Sequence, residues 1–522
     1  MRRRLIPLTL PLALAGLVLA GCAVTAQPGA TTSSASESSV TSTTETIAEV
    51  DSTIPAAAAE LLSANADGTV VRDDEWNLAD AETITLSGTT ASSDSAGVTV
   101  DGSTVTITAA GVYRLTGTLD GQVVVAAPDD AQVVLVLDGA EIENVSGSAI
   151  QVVTADDVAI SLAAGSTNSV TATSSADADA SAAIYADSDL TVSGSGSLTV
   201  TDTGNDGISA TDDLAIIGGT ITVDAADDAL RGKDSLVVKD GTLTLTAGGD
   251  ALKSDQEDDA TQGYVWIAGG TIDATAADGI DAWTDAVITG GTVSLATEDD
   301  GIHSETALAI AGGDVTITRS YEGIESADIR IAGGVARITS SDDGVNASGN
   351  TASTDGGMGG GGMQDSGETL AISGGTLVVD ADGDGLDSNG TIEMTGGDVT
   401  VFGPTAQNNG ALDSNGGITV TGGTLVAIGS TGMAESPDES SGQGWLAATA
   451  SGSAGSTVQI TDAAGTVIAE YTATKTFGSV VFSSSAITDG QAYTVTVDGT
   501  STSVTAGEAV AGGMGGGMGG RR

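Results

Sequence analysis

Aromatic residues are scarce in this 522-residue chain: three Phe, four Trp and six Tyr, 2% of the total. That excludes a compact core built on large rings, so the interior must be packed with small aliphatic side chains in regular rows, as stacked strands allow. Basic residues are scarce too, with 15 Lys and Arg against 71 Asp and Glu and a formal net charge of -56. Such a surface repels phosphate backbones and excludes nucleic acid as a partner. A polyanion could be met only through an intervening cation, for which calcium is the obvious choice. With one Cys and one His, an internal disulfide and a Cys-based zinc cluster are excluded as well.

The lone cysteine is explained by its position. Arg2, Arg3 and Arg4 form a basic start, residues 5–19 are an apolar run too short to span a bilayer comfortably, and Leu19-Ala20-Gly21-Cys22 follows. This resembles a bacterial lipoprotein signal over 1–22, with Cys22 carrying lipid, so we expect an extracellular protein anchored to the cell membrane by that lipid alone. Residues 23–54 are rich in Ser and Thr without apolar periodicity and read as a solvated tether. Nothing in the sequence implies a protein partner.

What the chain has in abundance is a repeat. Asp206-Gly207-Ile208, Asp228-Ala229-Leu230 and Asp250-Ala251-Leu252 lie 22 residues apart. Asp278-Gly279-Ile280, Asp300-Gly301-Ile302, Glu322-Gly323-Ile324, Asp343-Gly344-Val345 and Asp384-Gly385-Leu386 continue the series, and Gly410-Ala411-Leu412 closes it without an acid. Glycine turns such as Gly290-Gly291 and Gly312-Gly313 keep the same beat, with apolar alternation between them. A 22-residue unit of short strands cannot close a sheet on itself, but copies can stack and bury a continuous core. The expected fold is all-β, a right-handed parallel β-helix with three faces. Residues 55–205 would form an N-terminal cap and irregular first coils, 206–430 the regular coils, 440–505 a small antiparallel β module, and 506–522 a Gly/Met-rich disordered tail.

Stacked coils would put the acids in one column. Carboxylates about 5 Å apart repel by roughly 3 kcal/mol per neighbouring pair at an effective dielectric near 20. Arg231, Lys233 and Lys253 are the few cations nearby, so bound calcium is the expected remedy, with Asp206, Asp228, Asp250, Asp278, Asp300, Asp343, Asp384 and Asp387 as candidate ligands. The alternative is that these acids are solvated turn residues. Asp380 to Asp387 begins like an EF-hand loop, but Thr391 stands where that loop needs a bidentate Glu.

The block Thr104 to Gly117, the segment Val134-Leu135-Val136-Leu137-Asp138-Gly139 and the Asp-Gly-Ile and Gly-Gly-Thr coils together resemble the extracellular bacterial carbohydrate-binding β-helix proteins. The resemblance implies a pectate-lyase-like fold, calcium, non-catalytic binding of cellulose or acidic sugar polymers such as polygalacturonate, and calcium near Asp228, Asp250, Asp278, Asp300, Asp384 and Asp387. The leading expectation is thus a cell-surface protein that binds extended polysaccharide, with Trp266 and Trp283 placed outward on strands by parity to stack on sugar rings. One competing reading is a calcium-dependent polysaccharide lyase in which Lys253, Lys233 or Arg231 takes the α-proton of a uronate. Another is an adhesin with structural calcium. An ice-binding array starting at Thr220, Thr222, Thr242 and Thr244 is broken by Asp273, Asp314 and Arg337. The Met358 to Met363 and Met514 to Met518 segments read as flexible linker rather than a soft-metal site.

Overall fold

The computed structural model describes residues 54–178, 180–349 and 365–509. The lipid-signal reading, almost all of the tether, both Gly/Met segments and most of the C-terminal tail lie outside these residues.

Each regular coil is one acid turn followed by three strands. In one coil these are Ile280–Ala282, Asp285–Ile288 and Thr292–Thr297, with Gly290-Gly291 between the second and third. Coil stacks on coil by parallel pairing, giving three ladders that we call the first, second and third faces. On the first face Leu230, Leu252, Ile280, Ile302, Ile324, Val345, Leu386 and Leu412 are successive partners. All are buried, so the third residue of every Asp-Gly-Ile copy forms an unbroken aliphatic row. The apolar alternation of the sequence is this inward row, and burying it supplies most of the driving force.

Where a copy carries glycine at its second position, rather than the alanine of Ala229, Ala251 and Ala411, close approach sets it. A Cβ on Gly301 would lie 2.5 Å from both the Gly323 carbonyl oxygen and Ile317 Cδ1, so the next coil leaves no room for a side chain. At the Gly-Gly turns the second residue needs a left-handed backbone, as at Gly313 with φ 79°.

The parallel register begins well before the regular repeat. Glu82–Gly88 pairs in parallel with Gly111–Asp120, and the ladders run on without a break through Gln132–Asn144 and Asp213–Ala225. The start is folded over by Ala91–Ser93 and Val98–Asp101, which pair antiparallel with Glu82–Gly88 and Thr104–Ile107 respectively.

Residues 55–81, expected to belong to the N-terminal cap and irregular first coils, form a strap along the flank. Its helix α1 (Ala56–Ala64) lays Ala58, Leu61 and Leu62 on the outward residues of the second face, Val237, Trp266, Val287 and Ala309. Further on, Thr69 N donates to the Asp213 carboxylate (2.8 Å) and Val71 N to Thr191 Oγ1 (3.0 Å). The second face is apolar on both sides here, as in Val237-Val238, because it is buried on both sides. No helix among the described residues is long and apolar enough to cross a membrane.

At the far end the last third-face strand, Thr424–Gly429, pairs antiparallel with Phe477–Ser483, which pairs with Trp445–Gly452. A separate four-stranded antiparallel sheet of Val467–Thr472, Thr457–Asp462, Ala492–Val497 and Thr500–Thr505 completes the module. It packs around Phe482, Val458, Ile460 and Val495 and occupies the sheet edge that would otherwise be open.

Candidate functional site

The first face carries the acids. Asp228 N donates to the Asp206 carboxylate (3.3 Å), Asp250 N to Asp228 (2.8 Å), Asp300 N to Asp278 (2.7 Å), Asp384 N to Asp343 (2.6 Å) and Gly410 N to Asp384 (2.5 Å). The acids therefore stand in one column, and Asp206, Asp228, Asp278, Asp343 and Asp384 each cap a backbone N–H of the coil above. Aspartate has the reach for this bond. Glu322, one methylene longer, accepts instead from Asn346 Nδ2 (2.8 Å).

A second column runs beside the first. The third residue after the acid in each copy is in register along the face: Ser209, Arg231, Lys253, Asp281, His303, Glu325, Asn346, Asp387 and Asp413. Sequence reading picked out Arg231, Lys253 and Asp387 from this column. It passed over Asp281, Glu325, Asn346 and Asp413, although the constant offset from the acid was there to find them.

The two columns divide the face electrostatically. In the first half Lys253 Nζ lies 2.5 Å from Asp250, 3.5 Å from Asp281 and 3.8 Å from Asp228, Arg231 pairs with Asp255 (2.8 Å), and His303 Nδ1 is 3.0 Å from Asp281. Burial would lower the Lys253 ammonium, but Asp228, Asp250 and Asp281 outweigh it and hold the group well above its ordinary value. The hydrogen bond that His303 donates to Asp281 pushes the imidazole up to about 9. In the second half Asp300, Glu322, Glu325, Asp343, Asp384, Asp387 and Asp413 form no ion pair among the described residues. Burial first, then the neighbouring carboxylates, pushes Asp300 and Asp387 up to about 8, and burial is also the largest cause that takes Asp384 and Glu322 to about 7. Asp206 and Asp278 rise to about 7, and Asp228 and Asp343 to about 6, again mainly through burial.

Two details single out the second half. Asp300, Glu322 and Glu325 bring carboxylate oxygens within 4.8 Å of one another. Asn346, only 8% exposed and in register between Glu325 and Asp387, has a buried Oδ1 with no hydrogen-bond partner. An acceptor left unpaired among acceptors lacks a positive group. The donor set, carboxylates plus an amide oxygen, suits a hard cation that takes six to eight oxygens.

Residues 101–359 match the model of the family described as carbohydrate-binding domain-containing protein. A solved chain from C. thermocellum, titled as the structure of a polysaccharide lyase-like protein in a gadolinium derivative, is 33% identical. The match covers 45% of this chain and 96% of that one, with a TM-score of 0.43. This chain belongs to the carbohydrate-binding domain-containing protein family. Among curated proteins none matches.

Several expectations change in this carbohydrate-binding protein. Trp266 does point away from the central core, but α1 covers it and leaves it 8% exposed, so it cannot meet a sugar ring. Trp283 follows the strand Ile280–Ala282 and sits at a corner rather than within a strand, 39% exposed. Lys253 and Arg231 are held as cations by carboxylates and are poorly suited to take a proton. Lys233 lies at the corner beyond the strand Leu230–Gly232, where its carbonyl accepts from Ser254 Oγ (3.1 Å). The acidic run from Asp380 is not one loop: Lys475 of the C-terminal module binds Asp380 (2.8 Å) and Asp382 (3.0 Å), while Asp384 and Asp387 turn onto the first face.

Proposed function

We propose that this protein binds an extended acidic polysaccharide along its first face through calcium held in the second half of the acid columns. Polysaccharide is the partner that the family supports. The observation that carries the calcium reading is the buried, partnerless Asn346 Oδ1 among stacked carboxylates that form no ion pair among the described residues. Asp300, Glu322 and Glu325, whose oxygens lie within 4.8 Å of one another, would hold calcium with Asn346 next to them, and Asp343, Asp384 and Asp387 would hold it further along the same columns. Bound there, calcium supplies the positive charge that a uronate carboxylate needs on a face of this sign. Asp206, Asp228 and Asp250 lie beside Arg231 and Lys253, and in this reading they are structural, as is Asp278 at the middle.

We infer non-catalytic binding, a right-handed winding as for nearly all crossovers between parallel strands, and display at the cell surface through Cys22. The lyase alternative would need a neutral base, and Lys253 and Arg231 are engaged by Asp250, Asp281 and Asp255. The test is retention on immobilised polygalacturonate with calcium and with EDTA. Retention that vanishes with chelator is expected, and undiminished binding in EDTA would overturn the calcium bridge. Unsaturated product released from polygalacturonate would restore the lyase reading.

A further inference from the structure

Where the strap crosses the second face it does more than seal it. Asp73, Trp76, Asn77 and Leu78 of the strap meet Ser161 and Ser195 of the solenoid around an open cavity of about 380 Å³. We propose that this cavity is a second carbohydrate subsite, separate from the acid face, that takes a neutral sugar ring. The proposal rests on the family's polysaccharide binding for its ligand class, and on the cavity itself for everything else.

Four observations carry it. Leu78 is 54% exposed, whereas the other leucines among the described residues are buried. Trp76 is pinned along one side by Val71, Val134, Val136 and Ala159 yet lines the cavity with the rest of its ring, so it offers a rigid apolar surface without further ordering. Polar groups converge on the same space. Asn77 Oδ1 is taken by Ala79 N (2.9 Å), which leaves the amide nitrogen as a donor, and Ser161 and Ser195 bring hydroxyls. The volume falls within the range of small-molecule sites, and an apolar lining with a few placed polar groups is their usual make-up.

Charge selects the class of sugar. Asp73, Asp74, Glu75 and Asp80 crowd the same stretch of strap, with Arg72 as its lone basic residue, so a uronate is repelled and an uncharged ring is not. The strap residues also precede residue 101, where the family match starts. The cavity is therefore made by joining a segment outside that match to coils inside it, and the matched region alone does not contain it.

The full chain in EDTA is titrated with cellotetraose and with xylotetraose, followed by tryptophan fluorescence and calorimetry. We expect one of these neutral chains to bind, and Leu78→Ser and Trp76→Phe each to weaken it at least tenfold. Leu78→Ser should leave the melting temperature unchanged, and Trp76→Phe keeps an aromatic pin under the strap should the first variant unfold. Asp384→Asn/Asp387→Asn should leave neutral binding intact. No binding of either neutral chain, or binding that both strap variants preserve, overturns the subsite. Calcium-dependent retention on polygalacturonate, measured on the same protein, reports the first face separately, so loss of one reading is distinguishable from loss of the other.

Discussion

A single methylene separates the two ways an acid behaves on the first face. Aspartate reaches the backbone N–H of the next coil, as Asp228 does for Asp250, and so serves as a structural acceptor even when the column is crowded. Glutamate overshoots, and Glu322 turns to Asn346 and the second column. Charge bookkeeping at this scale predicts which residues matter for which property. Lys253→Met leaves Asp228, Asp250 and Asp281 without their shared cation, and should cost roughly 2 kcal/mol at pH 8, less than for a fully buried pair because the lysine is partly solvated. Denaturant unfolding should show that loss, and it should shrink at pH 5 as Asp228, whose burial lifts it to about 6, protonates. Asp384→Asn/Asp387→Asn should abolish the calcium-linked rise in melting temperature, whereas Asp228→Asn should keep it. Calorimetry that finds the dependence reversed would place the ion in the first half.

At the scale of the element, the coil is governed by what the next coil allows. The Gly344 position would drive a Cβ against Val379 Cγ1 and to 2.7 Å from the Gly385 carbonyl oxygen, so Gly344→Ala should destabilise by about 1–3 kcal/mol through overpacking. The thermal midpoint reads this directly. The strap is an element of another kind, held by an apolar patch and a few polar anchors rather than by ladder bonds. Leu61→Ser/Leu62→Ser should lift α1 from Trp266, shifting tryptophan emission to the red and opening residues 65–81 to protease. The solenoid should stay folded, because its ladders do not pass through the strap. Emission unchanged from the parent protein would mean that Trp266 is covered by something other than the helix.

For the whole molecule, the consequence of burying so many carboxyls is a pH dependence of definite sign. A carboxyl whose folded-state pKa lies above its unfolded value favours the folded chain while both forms are protonated, and that advantage is lost as pH rises through the folded value. Here the unfolded value is near 4 and the folded values reach about 8 at Asp300 and Asp387 and about 7 at Asp278, Asp384 and Glu322. Without divalent cations the melting temperature should therefore fall from about pH 4 to about pH 8 and then level off. Millimolar calcium should restore most of the loss at pH 8 and little at pH 5, where protons already occupy the ladder. A flat profile in EDTA would show that the acids are solvated and the column carries no stored repulsion.

The 22-residue beat, the buried third residue of each Asp-Gly-Ile copy and the stacking of the acids were legible from residues alone, because a periodic sequence admits few ways to bury a periodic apolar face. The net charge and the need for something to offset the column followed from counting. Other facts came only with the fold. Trp266 obeys strand parity and is still hidden, because the helix over it comes from 200 residues earlier in the chain. Asp380 and Asp384 look equivalent in sequence, yet Lys475 reaches the first from a different module, while the second forms no ion pair among the described residues. Local pattern determines which way a side chain leaves its own strand; which distant segment then covers it, and with what charge, is decided by tertiary contacts that have no period to be read.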